Sequence, residues 1–279
     1  MSETKFLKND LKTLIEKFSK DDVITSIEKN YQKDKVIFVH ANDIIDNKTI
    51  KPAKVDTKTI ESIEKSIINH GLYNPLIVRK AKNNKYEVII GRKRWIACKK
   101  ISYSNIPIIV NDYDDQETLL ILLCDSRETR TFNPIEVALI INELKTKFNY
   151  KNNDICEILH QSPSQVSNYL SLLDLPESII QKVSTNRLSF GHAKALTHLK
   201  NEKEVELVAK KINDFNLSVR ETEDLVYSLK DKSTKYTKNY VVKKKDNTII
   251  VQINKNEDSN KIYKKINELL KNHFKNFNF

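Results

Sequence analysis

Hydrophobic and polar positions divide the chain into a strand-rich part followed by a helix-rich part. Between residues 35 and 130, short runs rich in β-branched residues alternate with helical patterns, and these runs lie at 36–39, 76–78, 86–90 and 106–110. Gly91 ends the third run just where a helical pattern, 92–100, begins. The pattern predicts a small α/β module with a sharp strand-to-helix turn at Gly91.

After residue 130 the strand patterns stop and helix-start signals recur. Asn133 precedes Pro134, Ser162 precedes Pro163, and 218–221 reads as a capping box. A serine or asparagine followed by proline is typical of the first residues of a helix, because proline there lacks only an amide that would be unpaired anyway. We therefore expect residues 131–230 to form an all-helical module.

The two ends of the chain have different patterns. Residues 1–34 contain an amphipathic helical face and are predicted to be an N-terminal arm; its apolar positions are Phe6, Leu11, Leu14, Ile15 and Phe18. Residues 231–238 are polar and lysine-rich, as in a linker. Residues 239–279 are predicted to form a hairpin and a helix, a ββα module too small to bury its apolar face alone. We expect this module to associate with a second copy.

Composition narrows the function classes. The chain has 279 residues and a net charge of +11, which suits a partner that carries phosphates. Its three glycines, Gly71, Gly91 and Gly191, lie too far apart for a GxGxxG fingerprint or a Walker P-loop. Cys98, Cys124 and Cys156 are too far apart for a zinc motif or a disulfide framework, and no stretch is apolar enough to span a membrane. A cytoplasmic protein is expected.

Residues 153–173 have the spacing of a helix-turn-helix. The first apolar face is Ile155, Ile158 and Leu159; the turn is 160–162; the second face is Val166, Leu170 and Leu173. The second helix of this motif presents its first turns to the major groove of DNA. The candidate DNA-reading residues are Ser162, Ser164, Gln165, Ser167 and Asn168. The alternative is an ordinary helical hairpin with a solvated polar face.

A second small-residue segment, 189–195, opens another predicted helix. Its serine cap and glycine would allow close approach of a phosphate to backbone amides. The DNA-binding candidates here are Gly191, His192 and Lys194. A lone histidine such as His192 is more often packed at the surface than a ligand.

The ordered set of motifs resembles ParB-type partition proteins. The matching segments, in chain order, read GLYNPLIVR, YEVIIGRKRWIACK, FNPIEVALIINEL, the helix-turn-helix, LSFGHAKAL and LSVRETEDLV. They extend over roughly residues 36–230. The resemblance implies an α+β multidomain protein with a ParB/sulfiredoxin-like α/β N-terminal module, the helix-turn-helix module and the C-terminal dimerisation module.

The resemblance also implies a function. ParB-type proteins are homodimeric DNA clamps that bind an inverted-repeat, centromere-like site in plasmid or chromosome segregation, and a ParA-type ATPase acts on them. Their α/β module binds CTP with Mg²⁺ and hydrolyses it slowly. By resemblance the nucleotide-binding residues are Gly71, Asn74, Gly91, Arg92, Lys93, Arg94, Asp125 and Ser126, with Asp125 as the metal ligand. The protein would be associated with the nucleoid or a plasmid.

This chain departs from the family pattern in its nucleotide motifs. The family usually has GERRxRA where Arg92 replaces the acidic residue, Lys93 replaces an arginine and Ile96 stands where a basic residue is common. The family's ENxQR box corresponds to 125–129, with Thr129 at the arginine position. Lysine does not reproduce the planar fork of arginine. The pattern therefore predicts CTP binding and leaves CTP hydrolysis open.

Two alternatives remain on the sequence alone. One is a ParB-like transcriptional regulator or nucleoid-associated protein without a role in segregation. The other is a sulfiredoxin-like phosphotransferase; the strand-to-helix turn at Gly91 contains no cysteine, since Cys98 comes two helical turns later.

Overall fold

A computed structural model describes residues 3–20, 23–24, 36–128, 133–230, 240–245 and 248–253. The chain forms two compact units, residues 1–226 and residues 227–279. The module boundaries expected at 34/35 and 130/131 lie within the first unit and stay a prediction.

The α/β part is a five-stranded mixed sheet with helices. Its elements are β1 (Ile37–Val39), β2 (Ile44–Ile45), α2 (Thr57–His70), β3 (Leu76–Lys80), β4 (Tyr86–Ile90), α3 (Arg92–Lys100), β5 (Ile106–Asn111) and α4 (Asp115–Glu128). The strand order is β1-β5-β3-β4-β2. β3 runs parallel to β5 and β2 parallel to β4, whereas β1 and β5, and β3 and β4, are antiparallel. The four strands predicted from the sequence are confirmed; β2 was not predicted.

A tight turn joins β3 to β4. Asn83 and Asn84 both adopt positive φ angles, 60° and 55°, and the Ala81 amide donates to the Lys85 carbonyl. Asparagine tolerates this left-handed conformation better than other residues with a Cβ.

The helical part follows. Its helices are α5 (Pro134–Phe148), α6 (Asn152–Leu159), α7 (Pro163–Ser171), α8 (Glu177–Ser184), α9 (Phe190–Leu196), α10 (Glu202–Phe215) and α11 (Val219–Lys230). The predicted caps are confirmed: the Asn133 and Ser162 side chains accept from backbone amides at the starts of α5 and α7. Ser218 and Glu221 form the predicted capping box. Left-handed Asn149 and Asn216 end α5 and α10.

The two faces of the sheet belong to different clusters of buried side chains. On one side, Leu76 and Val78 of β3 pack with Trp95 of α3 and with α2. On the other, Ile77 and Ile89 share a cluster with α4, α5, α6 and α7. The sheet and the helix-turn-helix therefore share one hydrophobic core.

The N-terminal helix α1 (Glu3–Phe18) is also part of this core. Phe18 is 1% exposed, and α1 contacts α4 and α6. Arg127 at the end of α4 donates to the Phe18 and Lys20 carbonyls, and a ring nitrogen of His160 lies 2.7 Å from the Ser19 carbonyl. The segment expected to be an arm thus packs its C-terminal half against α4 of the α/β part and α6 of the helical part.

In the second unit, β6 (Tyr240–Lys245) and β7 (Thr248–Ile253) pair antiparallel, which confirms the predicted hairpin. The predicted final helix lies outside the described residues, and dimerisation through residues 239–279 stays a prediction. Within the described part of the chain, no helix combines the length and the apolar character needed to cross a membrane.

Candidate functional site

A cavity of about 280 Å³ lies where α3, α4 and α5 meet the sheet. Its polar wall contains six residues that the sequence singled out and one that it did not. The six are Gly91, Arg92, Lys93, Arg94, Asp125 and Ser126; the seventh is Glu136 of α5. Isoleucines and a leucine form the rest of the wall. The cavity therefore joins an apolar floor to a rim with both positive and negative side chains.

Gly91 makes the strand-to-helix turn. It is left-handed, with φ +96°, and a Cβ atom there would lie 2.6 Å from Cδ2 of Leu76. Both the backbone angle and this close approach require glycine. This turn, which the sequence predicted, places the first residues of α3 at the cavity.

Arg94 links the cavity to the segment that contains Asn74, another predicted nucleotide-binding residue. Its Nη1 donates to the Asn74 carbonyl at 2.5 Å and to the Pro75 carbonyl at 3.4 Å. Gly71 has φ +76° and ends α2 just before this segment. Neither Gly71 nor Asn74 is among the described residues that line the cavity, and Asn74 is linked to it through Arg94.

The Arg92 side chain forms ion pairs and hydrogen bonds with other groups of the protein. It is 9% exposed and forms a two-point contact with Asp46, at 2.7 and 2.9 Å, and a hydrogen bond to Glu136 at 2.5 Å. Burial alone would lower the pKa of Arg92, but the hydrogen bond to Asp46 and the charge of Glu136 outweigh it and raise that pKa. Burial raises the pKa of Glu136, and the Arg92 charge opposes the rise.

On α4, Asp125 and Ser126 line the cavity, and Ser126 Oγ donates to the Leu123 carbonyl at 2.6 Å. Arg127, the next residue, instead donates to the Ile158 carbonyl at 2.7 Å and to the end of α1. Thr129 lies outside the described residues. No three His, Cys, Asp or Glu side chains gather into a metal site within the described ranges. Asp125 as a metal ligand stays a prediction.

Cys98 lies on the buried side of α3. It is 0% exposed, and burial raises the pKa of its thiol to about 11. A protonated, inaccessible thiol is a poor nucleophile. The geometry therefore does not favour the sulfiredoxin-like alternative.

The helix-turn-helix has the predicted bounds. α6 ends at Leu159, a left-handed His160 reverses the chain, and Ser162 caps α7 by accepting from the Gln165 amide at 3.3 Å. Ile155, Ile158 and Leu159 are buried as expected. On α7 the second buried position after Val166 is Tyr169, whose ring lies 5.1 Å from that of Phe190.

The sequence had assigned Leu170 and Leu173 to that buried face, and this was wrong in part. Both leucines are only partly buried, because Tyr169 and Leu172 occupy the inner positions. On the outer side of α7, Ser164 and Ser167 are exposed, whereas Gln165 and Asn168 are half-buried. The candidate DNA-reading residues therefore share one helix face with different exposures.

The 189–195 segment makes a close contact within the helical part. A Cβ atom on Gly191 would lie 2.9 Å from a methyl group of Val219, so α9 approaches α11 closely. His192 lies between Ser189 Oγ, at 2.7 Å, and the Leu217 carbonyl, at 2.9 Å. Gly191 and His192 thus have packing roles, and Lys194 is half-buried. A DNA contact by these three residues stays a prediction.

Two family models match the chain. The ParB N-terminal domain matches residues 25–127, and the ParB HTH domain matches residues 130–231. The chain belongs to the ParB family. The order of the two ParB domains is that of the α/β part and the helical part described above.

Two curated relatives show how far the similarity to ParB proteins extends. A probable chromosome-partitioning protein ParB of Rickettsia bellii is 35% identical over 181 residues, which cover 64% of this chain and 61% of the relative. A nucleoid occlusion protein of Geobacillus is 29% identical over 198 residues, or 71% of this chain and 70% of the relative. The chain therefore spans less than two thirds of the first of these relatives.

Among solved structures, the chain is similar to a C-terminally truncated ParB of Caulobacter crescentus complexed to the centromeric parS site. The two are 25% identical, with a TM-score of 0.41, and the match covers 68% of this chain and 98% of that chain. The same protein complexed with CTP-γ-S gives 24% identity and a TM-score of 0.33, over 61% of this chain and 98% of that chain.

Proposed function

We propose that this ParB-family chain is a sequence-specific DNA-binding partition protein whose α7 reads an inverted-repeat, centromere-like site. The observation that most directly supports this proposal is the helix-turn-helix, which has small and amide side chains on the outer side of α7. Asparagine and glutamine pair in two-point fashion with adenine in the major groove, and the chain's net charge of +11 supplies phosphate contacts.

Binding of a fluorescent inverted-repeat duplex tests this proposal. Wild type is expected to prefer it to a scrambled duplex, and Gln165→Ala with Asn168→Ala should reduce that preference about 30-fold or more, since each of the two base-reading pairs contributes about 1–3 kcal/mol. Gln181→Ala is the matched control because Gln181 is an exposed amide residue on α8.

Salt separates specific binding from charge binding. Each neutralised phosphate contributes about −0.9 to the slope of log affinity against log salt. Equal affinities and equal slopes for the inverted repeat and the scrambled duplex at every salt concentration would refute sequence-specific binding.

The cavity is proposed to bind the phosphates of CTP together with Mg²⁺. Its volume of about 280 Å³ is at the small end of ligand pockets, which suits part of a nucleotide rather than all of it. Lys93 and Arg94 offer positive charge, while Asp125 and Ser126 offer oxygens, and Mg²⁺ is commonly held by one or two carboxylates plus substrate phosphates.

Calorimetry with each nucleoside triphosphate and Mg²⁺ tests the assignment. We expect CTP to bind and Lys93→Ala to weaken binding at least tenfold, whereas Lys99→Ala at the other end of α3 should have little effect. Equal binding of all four nucleotides, or no dependence on Lys93, would contradict the proposal. Phosphate release measured in the same samples tests slow CTP hydrolysis.

The proposal extends to assembly. Residues 239–279 would pair two copies into a DNA clamp, so that both half-sites are bound together, and a ParA-type ATPase would act on the dimer. Sedimentation equilibrium that showed a monomer at all concentrations would exclude the clamp. Stimulation of a ParA-type ATPase encoded beside this chain would support segregation over gene regulation.

A nucleoid-associated role is the second candidate function, because one of the relatives is a nucleoid occlusion protein. Mapping of bound sites in cells separates the two. A few clustered sites would favour partition, and many dispersed sites would favour the nucleoid-associated role.

A further inference from the structure

The guanidinium of Arg92 has an acceptor for each of its five N–H groups. Nε and Nη2 contact the two carboxylate oxygens of Asp46, Nη1 donates to Glu136, and both Nη atoms lie 3.1 Å from the Ala53 carbonyl. Arginine has no further donor to offer. A phosphate could reach this guanidinium only by displacing a buried contact.

These acceptors come from different parts of the fold. Asp46 follows β2, Ala53 belongs to the same loop, and Glu136 lies in the first turn of α5 in the helical part. Arg92 itself is the first residue of α3. One side chain therefore joins the α/β part to the helical part.

Two further hydrogen bonds join the same segments. Thr49 Oγ1 donates to Glu143 at 2.9 Å, and Asn133 Nδ2 donates to the Lys54 carbonyl at 3.0 Å. Arg92 is the charged member of this contact. Removal of one partner of a buried ion pair leaves the other charge uncompensated, so the pair resists separation.

The contact also lies between the two proposed sites. Arg92 and Glu136 line the cavity, and α5 packs directly against α7. A change in the position of α7 would thus reach the cavity through α5, Glu136 and Arg92.

We propose that Arg92 is a positioning residue that couples the cavity to the recognition helix α7 by fixing α3 to α5. The inference deepens the proposed function and rests on it, because it assigns a regulatory link to the same two sites. The side chain acts through Asp46 and Glu136 and leaves phosphate contact to Lys93 and Arg94.

Urea unfolding of three variants tests the link in the absence of any ligand. Arg92→Met should lower the urea midpoint, Glu136→Gln should lower it less, and Glu136→Gln should cause no further loss once Arg92 is replaced. Such non-additivity identifies residues that act through one interaction. Additive losses in the double variant would overturn the proposal.

The single tryptophan of the chain reports on coupling. Trp95 lies one helical turn beyond Arg92 on α3, is 5% exposed, and donates its Nε1–H to the Ala41 carbonyl at 3.2 Å. In the wild type, titration with the inverted-repeat duplex should shift Trp95 emission. Arg92→Met and Glu136→Gln should abolish that shift.

Arg79→Met is the matched control. Arg79 is 13% exposed and also contacts two carboxylates, but these are Glu87 and Asp115, both in the α/β part. It should lower stability and leave the Trp95 shift intact.

The outcomes separate the inference from the proposed function. If labelled duplex binds but wild-type Trp95 does not respond, or if Glu136→Gln keeps the full response, the coupling is refuted and DNA binding stands. If no duplex binds, the proposed function fails. The urea experiment then decides alone whether Arg92 and Glu136 act as one unit.

Discussion

The three glycines of the chain meet different physical demands. A Cβ atom on Gly71 would have Tyr103 Oη as its nearest neighbour, at 3.9 Å, so only the φ of +76° requires glycine there. Gly91 has φ +96° and also faces Leu76 at 2.6 Å, and Gly191 faces Val219 at 2.9 Å without a positive φ.

Alanine substitutions should separate these demands. We expect Gly71→Ala to lower the free energy of unfolding by about 2 kcal/mol, because a φ of +76° with a ψ of −175° is a backbone conformation almost confined to glycine. Gly91→Ala should lower it by about 3 kcal/mol, because left-handed strain and overpacking add. Gly191→Ala should lower it by about 1 kcal/mol, since alanine's better helix propensity offsets part of the contact with Val219. Urea denaturation measures all three, and a loss at Gly191 as large as that at Gly91 would contradict the contribution of backbone strain.

Single residues were predictable from the sequence where their role is local. The turn at Gly91 follows from a strand pattern that meets a helix pattern, and the Ser162 cap follows from its neighbour Pro163. The role of Arg92 was not predictable, because its partners Asp46 and Glu136 are 46 and 44 residues away in the chain. Nothing in a linear pattern identifies such a pairing.

At the scale of elements, a charged cluster attaches α4 to the sheet. Asp115, the first residue of α4, accepts from Lys48 at 2.9 Å and from Arg79 at 2.6 Å. The hydrogen bond from Lys48, followed by that from Arg79, lowers the pKa of Asp115 below 3.8. The carboxylate also lies at the positive end of the helix dipole.

This cluster predicts a pH dependence of stability. Because the folded-state pKa of Asp115 is lowered, its stabilisation is complete above pH 3.8 and is lost as the pH falls through the folded value. Asp115 is half exposed, so Asp115→Asn should cost about 1 kcal/mol at pH 7 and less at pH 2. Urea unfolding at both pH values measures the difference.

Asp214→Asn is the control for that experiment, since Asp214 is an exposed aspartate on α10. An Asp115→Asn effect of equal size at pH 7 and pH 2 would show that the charge of Asp115 does not stabilise α4.

Strands of ordinary length were predictable from the sequence. The two-residue strand β2 and the burial of Tyr169 on α7 were not. The runs that became β3, β4 and β5 are continuous and apolar, whereas β2 has only two residues and no pattern of its own. On α7 the sequence favoured Leu170, yet Tyr169 is buried because its ring meets Phe190 of α9. That contact depends on a helix about 20 residues further along the chain.

At the scale of the whole molecule, the helix α1 shows which long-range contacts the sequence could not predict. Its apolar face was predicted, but the site where it docks was not, because that site is assembled from α4 and α6. The order of strands in the sheet was equally unpredictable from the sequence, since β1 at one edge pairs with β5 rather than with its neighbour in sequence.

Truncation of one buried side chain tests this docking. Phe18→Ala should lower the free energy of unfolding by about 3 kcal/mol, as for other buried aromatic residues. Lys20→Ala is the control, because its side chain is exposed and only its carbonyl meets Arg127. An unchanged urea midpoint for Phe18→Ala would mean that α1 is a free arm in solution.

The asparagines that end α5 and α10 affect how the helical part folds. Glycine at such a stop would lose the most backbone freedom on folding, whereas Asn149 and Asn216 sample fewer conformations beforehand. At each of these helix ends, asparagine introduces a small backbone strain in the folded state. It also leaves the unfolded chain with fewer conformations than glycine would. These two helices therefore end without glycine's entropic penalty.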